Sequence, residues 1–268
     1  LRFTVATRRL ADGTLESTPA LDELRRLAAQ LKAARVEAVA IGLLHAHAHP
    51  ADERVVADAL RALGVPITCS AELVARAGEF ERFSGAVLNA AIQPIVGVYL
   101  AKLQGAVAPG RLRLLRSSGG ILGDDEAVAF PARAMFSGPA GGVIATARLA
   151  ALRGEDRVAA LDMGGTSTDV ALVTRDLEPS EDERRIAGLP LPLPSHDVHT
   201  VGCGGGSLAW VDAGLALRVG PASAGADPGP ACYGRNDEAT VTDAHVALGH
   251  IAADTLLGGG LPIDPDRS

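Results

Sequence analysis

The sequence has 268 residues, of which 47% are hydrophobic and 21% charged, and this ordinary globular composition excludes a disordered chain. The formal charge of −7 repels a polyphosphate backbone, which excludes nucleic acid as an expected partner. Three cysteines without a CxxC pair signal neither a disulfide framework nor a zinc site, so we expect a reducing, cytoplasmic location.

The first part of the chain alternates predicted helices with short apolar strands. Apolar spacing and flanking turn residues predict a helix, a strand, a second helix and a second strand at 21–31, 36–44, 52–63 and 67–70. Helices that alternate with buried strands indicate parallel α/β architecture. Residues 78–104 predict two helical pieces, because Pro94 interrupts the backbone hydrogen bonds.

The second part of the chain is richer in glycine. A short Pro/Gly segment at 107–110 marks the predicted boundary between domains 1–110 and 111–268. After it, the pattern predicts a helix at 140–153 and then two strands, 158–163 and 168–174, joined by a Gly-Gly turn. Residues 176–200, with four prolines among charges, predict a surface excursion, and the tail from Gly258 resembles a linker.

The sharpest local motif is LDMGGTSTDVALV at 161–173, where a buried strand is predicted to end at Asp162. Gly164 and Gly165 allow a tight turn whose N–H groups approach a ligand, and the hydroxyls of Thr166, Ser167 and Thr168 can bond phosphate oxygens. Asp162 is placed to hold Mg²⁺ through water. An ordinary hairpin, with Asp162 and Asp169 bonding local backbone, explains the motif equally well by itself.

Two further glycine-rich segments favour the phosphate interpretation. SGPAGG at 137–142, with Gly138 and Gly141, precedes the predicted helix, where free N–H groups attract an anion; the alternative is a plain helix entry. VGCGGGS at 201–207 has glycines that allow the backbone to lie flat against a planar ligand, namely Gly202, Gly204, Gly205 and Gly206. The alternative there is a flexible loop.

Five segments in succession carry a family resemblance: SGPAGGV, DMGGTSTDVALV, DVHTVGCGGGSLAWVD, LRVGPASAGADPGPACYGR and ATVTDAHVALGHI. Together they resemble the hydantoinase A / 5-oxoprolinase family. Two earlier segments, EFERFSGAVLNAAIQPIV and LLRSSGGI, are similar to the family more loosely. The resemblance covers essentially the whole chain.

The resemblance implies an α/β fold of actin-like ATPase (ribonuclease-H-like) lobes, present here incompletely. Residues 1–110 would be the last part of the family's N-terminal α/β region, and 111–268 a truncated second lobe. ATP and Mg²⁺ are the implied cofactors, with Asp162, Gly164, Gly165, Thr166 and Thr168 in the second phosphate hairpin. Gly202 and Gly204–Gly206 would lie near the nucleotide. Only one Asp-x-Gly-Gly-Thr hairpin is present, so half of the family's phosphate clamp is missing.

The family also implies the chemistry. The leading hypothesis is part of an ATP-dependent hydrolase that opens a cyclic amide or imide of the 5-oxoproline or hydantoin type, with Asp162 and Asp169 as catalytic carboxylates. The alternatives are an ATP-dependent ketone carboxylase subunit and a nucleotide-binding subunit without chemistry. The expected partners are a small cyclic amide and a hydantoinase B-type subunit or domain. Cys232 would be a nucleophile only if Arg235 stabilised its thiolate.

The ends of the chain and its apolar runs complete the expectations. The sequence starts at Leu1 without a basic leader or apolar signal core, so we expect an excerpt of a larger protein. Because it has one phosphate hairpin, we expect the excerpt to be inactive alone. No run of about 18 apolar residues is free of charge, Gly and Pro, so a membrane-spanning helix is not expected.

Overall fold

The structure, a computed structural model, describes residues 1–175, 177–180, 184–252 and 260–268. Contacts divide the chain into two compact units, Leu1–Gly141 with Glu178–His196, and Gly142–Leu177 with Asp197–Ser268. The domain boundary predicted at 110–111 refers to family regions rather than contacts, and it stays a prediction. The predicted linker from Gly258 begins outside the described residues.

The first unit mixes short strands with helices. Its strands are β1 (Arg8–Arg9), β2 (Leu15–Ser17), β3 (Val39–Ile41), β4 (Ile67–Cys69), β5 (Leu114–Leu115), β6 (Ile121–Leu122), β9 (Arg184–Ile186) and β10 (Leu189–Leu191). Its helices are α1 (Leu21–Ala33), α2 (Ala51–Leu60), α3 (Ser70–Leu73), α4 (Glu79–Val107), α5 (Asp124–Ala129) and the start of α6 (Ser137–Arg153). Short 3-10 turns occupy Arg61–Leu63 and Pro131–Ala134.

The predicted parallel pairing in this unit is confirmed. Strands β3 and β4 pair in parallel, with Val39 opposite Ile67 and Ile41 opposite Cys69. Leucines of α1 and the apolar face of α2 pack with these strands into one core of Leu24, Leu27, Leu31, Ile41, Val56, Leu60 and Cys69. The helix–strand alternation therefore produces the α/β layer that the apolar spacing predicted.

Helix α4 is continuous, so the prediction of two helical pieces is wrong. Pro94 lies inside the helix and removes one backbone hydrogen bond. Tertiary bonds hold the chain just before it: Gln93 donates to the carbonyl of Ala129 at 2.7 Å, and Asn89 donates to Thr68 Oγ1 at 2.9 Å. These buried contacts fix both side chains on their neighbours and offset the lost bond.

Helix α4 also carries a buried charge that joins it to α2. Glu53 and Arg82 are both fully buried. The Glu53 carboxylate accepts from the Ser70 hydroxyl at 2.5 Å, and Arg82 Nε donates to the same hydroxyl at 3.0 Å. Arg82 also donates to the carbonyl of Leu43 at 2.7 Å. Each buried charge is thereby hydrogen-bonded, as burial of a charge requires.

By length and composition α4 could span a bilayer, which the count of uninterrupted apolar residues had not predicted. Core helices of soluble domains pass the same criterion. Buried hydrogen bonds from Arg82, Asn89 and Gln93 to α3, β4 and the end of α5 make α4 the central helix of the first unit.

Residues 190–193 are buried core, so the prediction of a surface excursion is wrong for that part of 176–200, whereas Arg185, Ala187 and Gly188 are exposed. Strands β9 and β10 pair as an antiparallel hairpin. Leu191 and Leu193 pack with Leu73 and Ala132 in a second core cluster. Proline has no N–H to donate to a neighbouring strand. It is tolerated in this short hairpin because the outer edges of a two-stranded sheet have no further strand to pair with.

The second unit is built on an antiparallel sheet. Its elements are the rest of α6, β7 (Arg157–Met163), β8 (Thr168–Thr174), β11 (His199–Val201), β12 (Ser207–Val211), β13 (Leu217–Ser223), 3-10 turns at Ala231–Tyr233 and Pro265–Arg267, and α7 (Val241–Ala247). The main sheet has the order β11-β8-β7. The predicted helix followed by a hairpin is confirmed.

The first unit buries one histidine ring, that of His196, away from hydrogen-bond partners in the part of the chain that the structure describes. His196 is 5% exposed, and among the described residues neither ring nitrogen has a hydrogen-bond partner. Its backbone is held: the His196 N–H donates to the Ser117 carbonyl at 3.1 Å, and the cationic Arg184 donates to the His196 carbonyl at 2.6 Å. Burial lowers the pKa of His196.

This histidine makes stability sensitive to acid. The fold favours the neutral ring, so its contribution is complete above the ordinary histidine pKa of about 6.5 and is lost as the pH falls below it. We expect the urea midpoint to fall from pH 7.5 to pH 5.0 by more in the wild type than in His196→Asn. Parallel declines of the two midpoints would contradict this expectation.

Candidate functional site

The β7–β8 hairpin presents the Asp-Met-Gly-Gly-Thr motif at its turn. The register places Asp162 opposite Asp169 and Met163 opposite Thr168. The Gly164 N–H closes the turn on the Ser167 carbonyl at 2.9 Å. The predicted hairpin is confirmed. The strand before the turn was predicted to be buried, and this is wrong, because Leu161 is 70% exposed.

The exposure follows from one-sided packing. One face of the sheet, including Val158, Ala171 and Val173, packs on Val143 and Ala147 of α6. Leu161 and Leu172 point to the opposite face, which is exposed. The apolar residues of β7 are therefore buried on one face of the sheet only.

The turn holds free backbone donors. Gly165 and Thr166 are exposed, and within the described part of the chain no acceptor is bonded to their N–H groups. The carbonyls of Gly164 and Gly165 are occupied, by the N–H groups of Gly205 at 2.9 Å and Gly206 at 2.6 Å. Two adjacent N–H donors, beside carbonyls that are already hydrogen-bonded elsewhere, can bind an anion such as a phosphate.

Two carboxylates flank this turn on one face of the sheet. Directly opposed residues of an antiparallel pair have Cβ atoms about 4.5–5.5 Å apart, and like charges in that arrangement are destabilising. Thr200 Oγ1 donates to Asp169 Oδ1 at 2.6 Å, which orients that carboxylate. Asp162 is exposed. A cation between the two would relieve the repulsion.

The carboxylate pair suits magnesium better than a fully protein-bound metal. Among the described residues, no group of three or more His, Cys, Asp or Glu could hold a metal ion. Mg²⁺ keeps several waters and binds one or two carboxylates together with substrate phosphates. Asp162 and Asp169 beside the free amides supply that donor set.

The glycine-rich loop lies against the turn, backbone to backbone. A Cβ on Gly204 would come within 2.6 Å of the Gly164 oxygen, and one on Gly206 within 2.9 Å of the Gly165 oxygen. A Cβ on Gly205 would approach Thr242 Oγ1 at 2.8 Å. Close packing on the hairpin accounts for Gly204 and Gly206, and packing on α7 accounts for Gly205. The nucleotide contacts predicted for them and for Gly202 stay predictions.

Thr168 and α7 hold this loop from two sides. The buried Thr168 hydroxyl donates to the Cys203 carbonyl at 2.5 Å, which leaves its predicted bond to phosphate a prediction. The Thr242 N–H and hydroxyl donate to the Gly205 carbonyl at 2.7 and 2.9 Å. The β7–β8 hairpin turn, the glycine-rich loop and the first helical turn of α7 are therefore joined by hydrogen bonds.

Asp243, which the sequence interpretation missed, organises the neighbouring loop. Its buried carboxylate accepts from the N–H groups of Ala231, Cys232 and Thr240 and from the Thr240 hydroxyl, at 2.8–3.1 Å. Thr240 and Asp243 form a capping box on α7. The Thr-x-x-Asp spacing before an apolar run was the signal available in the sequence.

Gly138 and Gly141 belong to the first unit and lie inside α6, which begins at Ser137 rather than at the predicted residue 140. Gly138 falls in the first turn, where N–H groups have no partner within the helix. Gly141 falls after Ala140, whose N–H already donates to the Phe136 carbonyl, so its own N–H belongs to the helix ladder. Only Gly138 keeps the geometry expected of a free donor.

Cys232 is unsuited to nucleophilic chemistry. It is fully buried, and burial together with Asp243 raises the pKa of its thiol to about 11. Arg235 lies 3.6 Å from the Asp227 carboxylate instead. Because the thiolate is the reactive form, Cys232 is an inert buried thiol.

Thiol labelling should separate the three cysteines. Burial also raises the pKa of Cys69 to about 12, whereas Cys203 is partly exposed. At pH 8 we expect one thiol of the native protein to react quickly with a disulfide reagent and two to react only after unfolding. Cys203→Ser should abolish the fast reaction, and rapid labelling of three thiols would contradict this assignment.

Two family models match most of the chain. The family model described as hydantoinase/oxoprolinase matches residues 82–267, and that of the hydantoinase/oxoprolinase N-terminal region matches residues 1–64. The chain is 36% identical over 275 residues to the caprolactamase subunit alpha of Pseudomonas jessenii, covering 98% of this chain and 39% of that subunit.

Two further relatives extend the range of reactions. The 5-oxoprolinase of Saccharomyces cerevisiae is 32% identical over 242 residues, covering 88% of this chain and 18% of the relative. The nucleotide-free structure of acetone carboxylase, from work on ATP-dependent acetone carboxylation, superposes with a TM-score of 0.76 and 31% identity, covering 98% of this chain and 38% of that one.

The chain thus spans about two fifths, or less, of the length of these relatives. The family models together match most of it, and the segments that match include the hairpin, the glycine loop and the α7 cap. This mixed α/β chain belongs to the hydantoinase/oxoprolinase family.

Proposed function

We propose that the protein is part of an ATP-dependent hydrolase that opens a cyclic amide or imide of the 5-oxoproline or hydantoin type. The observation that carries the proposal is the β7–β8 turn, where the free N–H groups of Gly165 and Thr166 lie beside the Asp162–Asp169 pair. The identity with a caprolactamase subunit and a 5-oxoprolinase supports a lactam substrate. An actin-like ATPase fold for the whole protein, and a cytoplasmic location, are parts of the proposal.

The chemistry follows from the weakness of an amide carbonyl as an electrophile. ATP would supply a phosphoryl group to the carbonyl oxygen, with ADP leaving. Water would then add to the activated carbon, the ring C–N bond would break as the nitrogen leaves as an amine, and a second water would release phosphate. The turn amides bind phosphate oxygens and stabilise the negative charge that develops on them. Asp162 would hold a magnesium ion, whose charge would stabilise the phosphate oxygens, and Asp169, oriented by Thr200, would be the second carboxylate beside it.

The experiment is a substrate screen with the complete protein and its hydantoinase B-type subunit or domain. We expect steady-state ATP hydrolysis to rise on addition of 5-oxoproline or a hydantoin, with ring-opened product in step with ADP. ATP consumption that depends on a ketone and bicarbonate would replace this proposal with the carboxylase alternative, which the likeness to acetone carboxylase favours. Nucleotide binding without turnover would identify a non-catalytic subunit.

The 268 residues alone should hydrolyse ATP negligibly. They contain one Asp-x-Gly-Gly-Thr hairpin, at Asp162–Thr166, and a single hairpin holds phosphates from one side only. Unbound oxygens on the other side stay solvated, so the transferred group is not positioned for attack. Turnover by this chain comparable to that of the complete protein would contradict the prediction.

A further inference from the structure

Two histidines face each other at the end of α7, outside the hairpin site. His245 lies in the last turn of the helix, and His250 follows the reversal at Gly249, whose φ is 71°. The His250 N–H donates to the His245 carbonyl at 2.9 Å, which brings the second ring back toward the first. The two Nδ1 atoms lie 3.0 Å apart, with the rings inclined at 46°.

This separation matches the bite of one metal ion. Two imidazole nitrogens, each about 2.0–2.1 Å from a zinc ion, lie about 2.9 Å apart at a right angle and about 3.4 Å apart at the tetrahedral angle. The observed 3.0 Å falls between these values. We propose that His245 and His250 form a two-histidine site for a divalent transition metal such as Zn²⁺.

The surroundings allow an ion to enter. His250 is exposed and His245 is partly exposed, so water can reach the pair and complete the coordination. Imidazole nitrogen suits zinc, copper and nickel, whereas carboxylate and water suit magnesium. The histidine pair and the Asp162–Asp169 pair are therefore sites for different metals.

A metal here would stabilise the helix that holds the glycine loop. Binding fixes the last turn of α7 to the residues after Gly249, and the first turn of α7 donates from Thr242 to the Gly205 carbonyl. Because the helix is short, from Val241 to Ala247, its two ends are two turns apart. The proposed site thus stabilises the support of the hairpin turn without contacting it.

Zinc titration tests the proposal, with calorimetry on the wild type and on His245→Gln and His250→Gln. We expect one zinc per chain, and a loss of affinity of at least about tenfold in each variant, since even an outer-sphere partner contributes about that much. The matched controls are His199→Gln, which removes an exposed histidine elsewhere in the unit, and Asp162→Asn. Both should keep the wild-type affinity.

A second measurement does not depend on variants. In protein labelled with ¹⁵N-histidine, zinc should shift the Nδ1 resonances of His245 and His250 and leave those of the other histidines in place. Unmoved resonances at saturating zinc would overturn the proposal. So would an affinity that is unchanged in both glutamine variants, or that is lost only in Asp162→Asn.

Discussion

Replacing Asp162 by asparagine is expected to lower ATP hydrolysis by the complete protein by about 10²–10³-fold, the loss typical of one preorganised charge-stabilising group. The asparagine keeps the shape of the side chain but removes the negative charge that holds a magnesium ion. It also removes the repulsion from Asp169, its directly opposed neighbour across the hairpin. We therefore expect the melting temperature to stay unchanged or rise while activity falls.

The control is Asp156→Asn at the other end of the same hairpin. Asp156 pairs with Arg175 at 2.8 Å, and both side chains are more than half exposed. Such surface pairs contribute about 0–1 kcal/mol, so this variant should keep wild-type activity and stability. Full activity of Asp162→Asn would show that the hairpin is not part of the active site. A lowered melting temperature would show that the aspartate has a structural role.

Replacing Gly204 by alanine is expected to displace the turn and abolish most activity. The added methyl would lie 2.6 Å from the Gly164 oxygen, 2.6 Å from the Ser167 nitrogen and 2.7 Å from the Thr166 carbonyl carbon. All three are backbone atoms, so rotation of a side chain cannot relieve the contact. Overpacking of this kind costs about 1–3 kcal/mol, and a shift of about 1 Å in a reacting group costs about 10²-fold in rate.

Gly202→Ala is the matched control, two residues away in the same loop. A Cβ at Gly202 meets no atom within 4 Å. We expect its urea midpoint to match the wild type, with a change in stability below about 0.5 kcal/mol. Equal effects of the two substitutions would show that loop flexibility, rather than close packing, is what the glycines supply.

Elements with clear periodicity were predictable from sequence, and those stabilised by distant contacts were not. The leucine spacing of α1 and the apolar run of β3 were sufficient to predict these two elements, because the residues that each buries in the core are visible in its own sequence. The continuity of α4 through Pro94 depends on bonds from Gln93 to Ala129, which lie 36 residues apart. The burial of β10 depends on Leu73, far away in the sequence. Neither pairing leaves a local pattern.

The candidate site was predictable in part for the same reason. The hairpin, its two aspartates and its turn follow from local glycine and strand preferences. The function of the glycines at 204–206 depends on a contact with residues about 40 positions earlier, and sequence alone could not separate close packing from a ligand surface. The family resemblance located the segments, and the physical reason for each came from the fold.

The packing of the glycine loop on the hairpin turn constrains how these two segments can change. Each carbonyl of Gly164 and Gly165 has its own N–H donor in the loop, one residue after the next. Inserting or deleting a residue in either segment would shift this one-to-one pairing and leave a carbonyl without its donor. Loop grafts that aim to alter substrate choice should therefore exchange both segments together, or leave both intact.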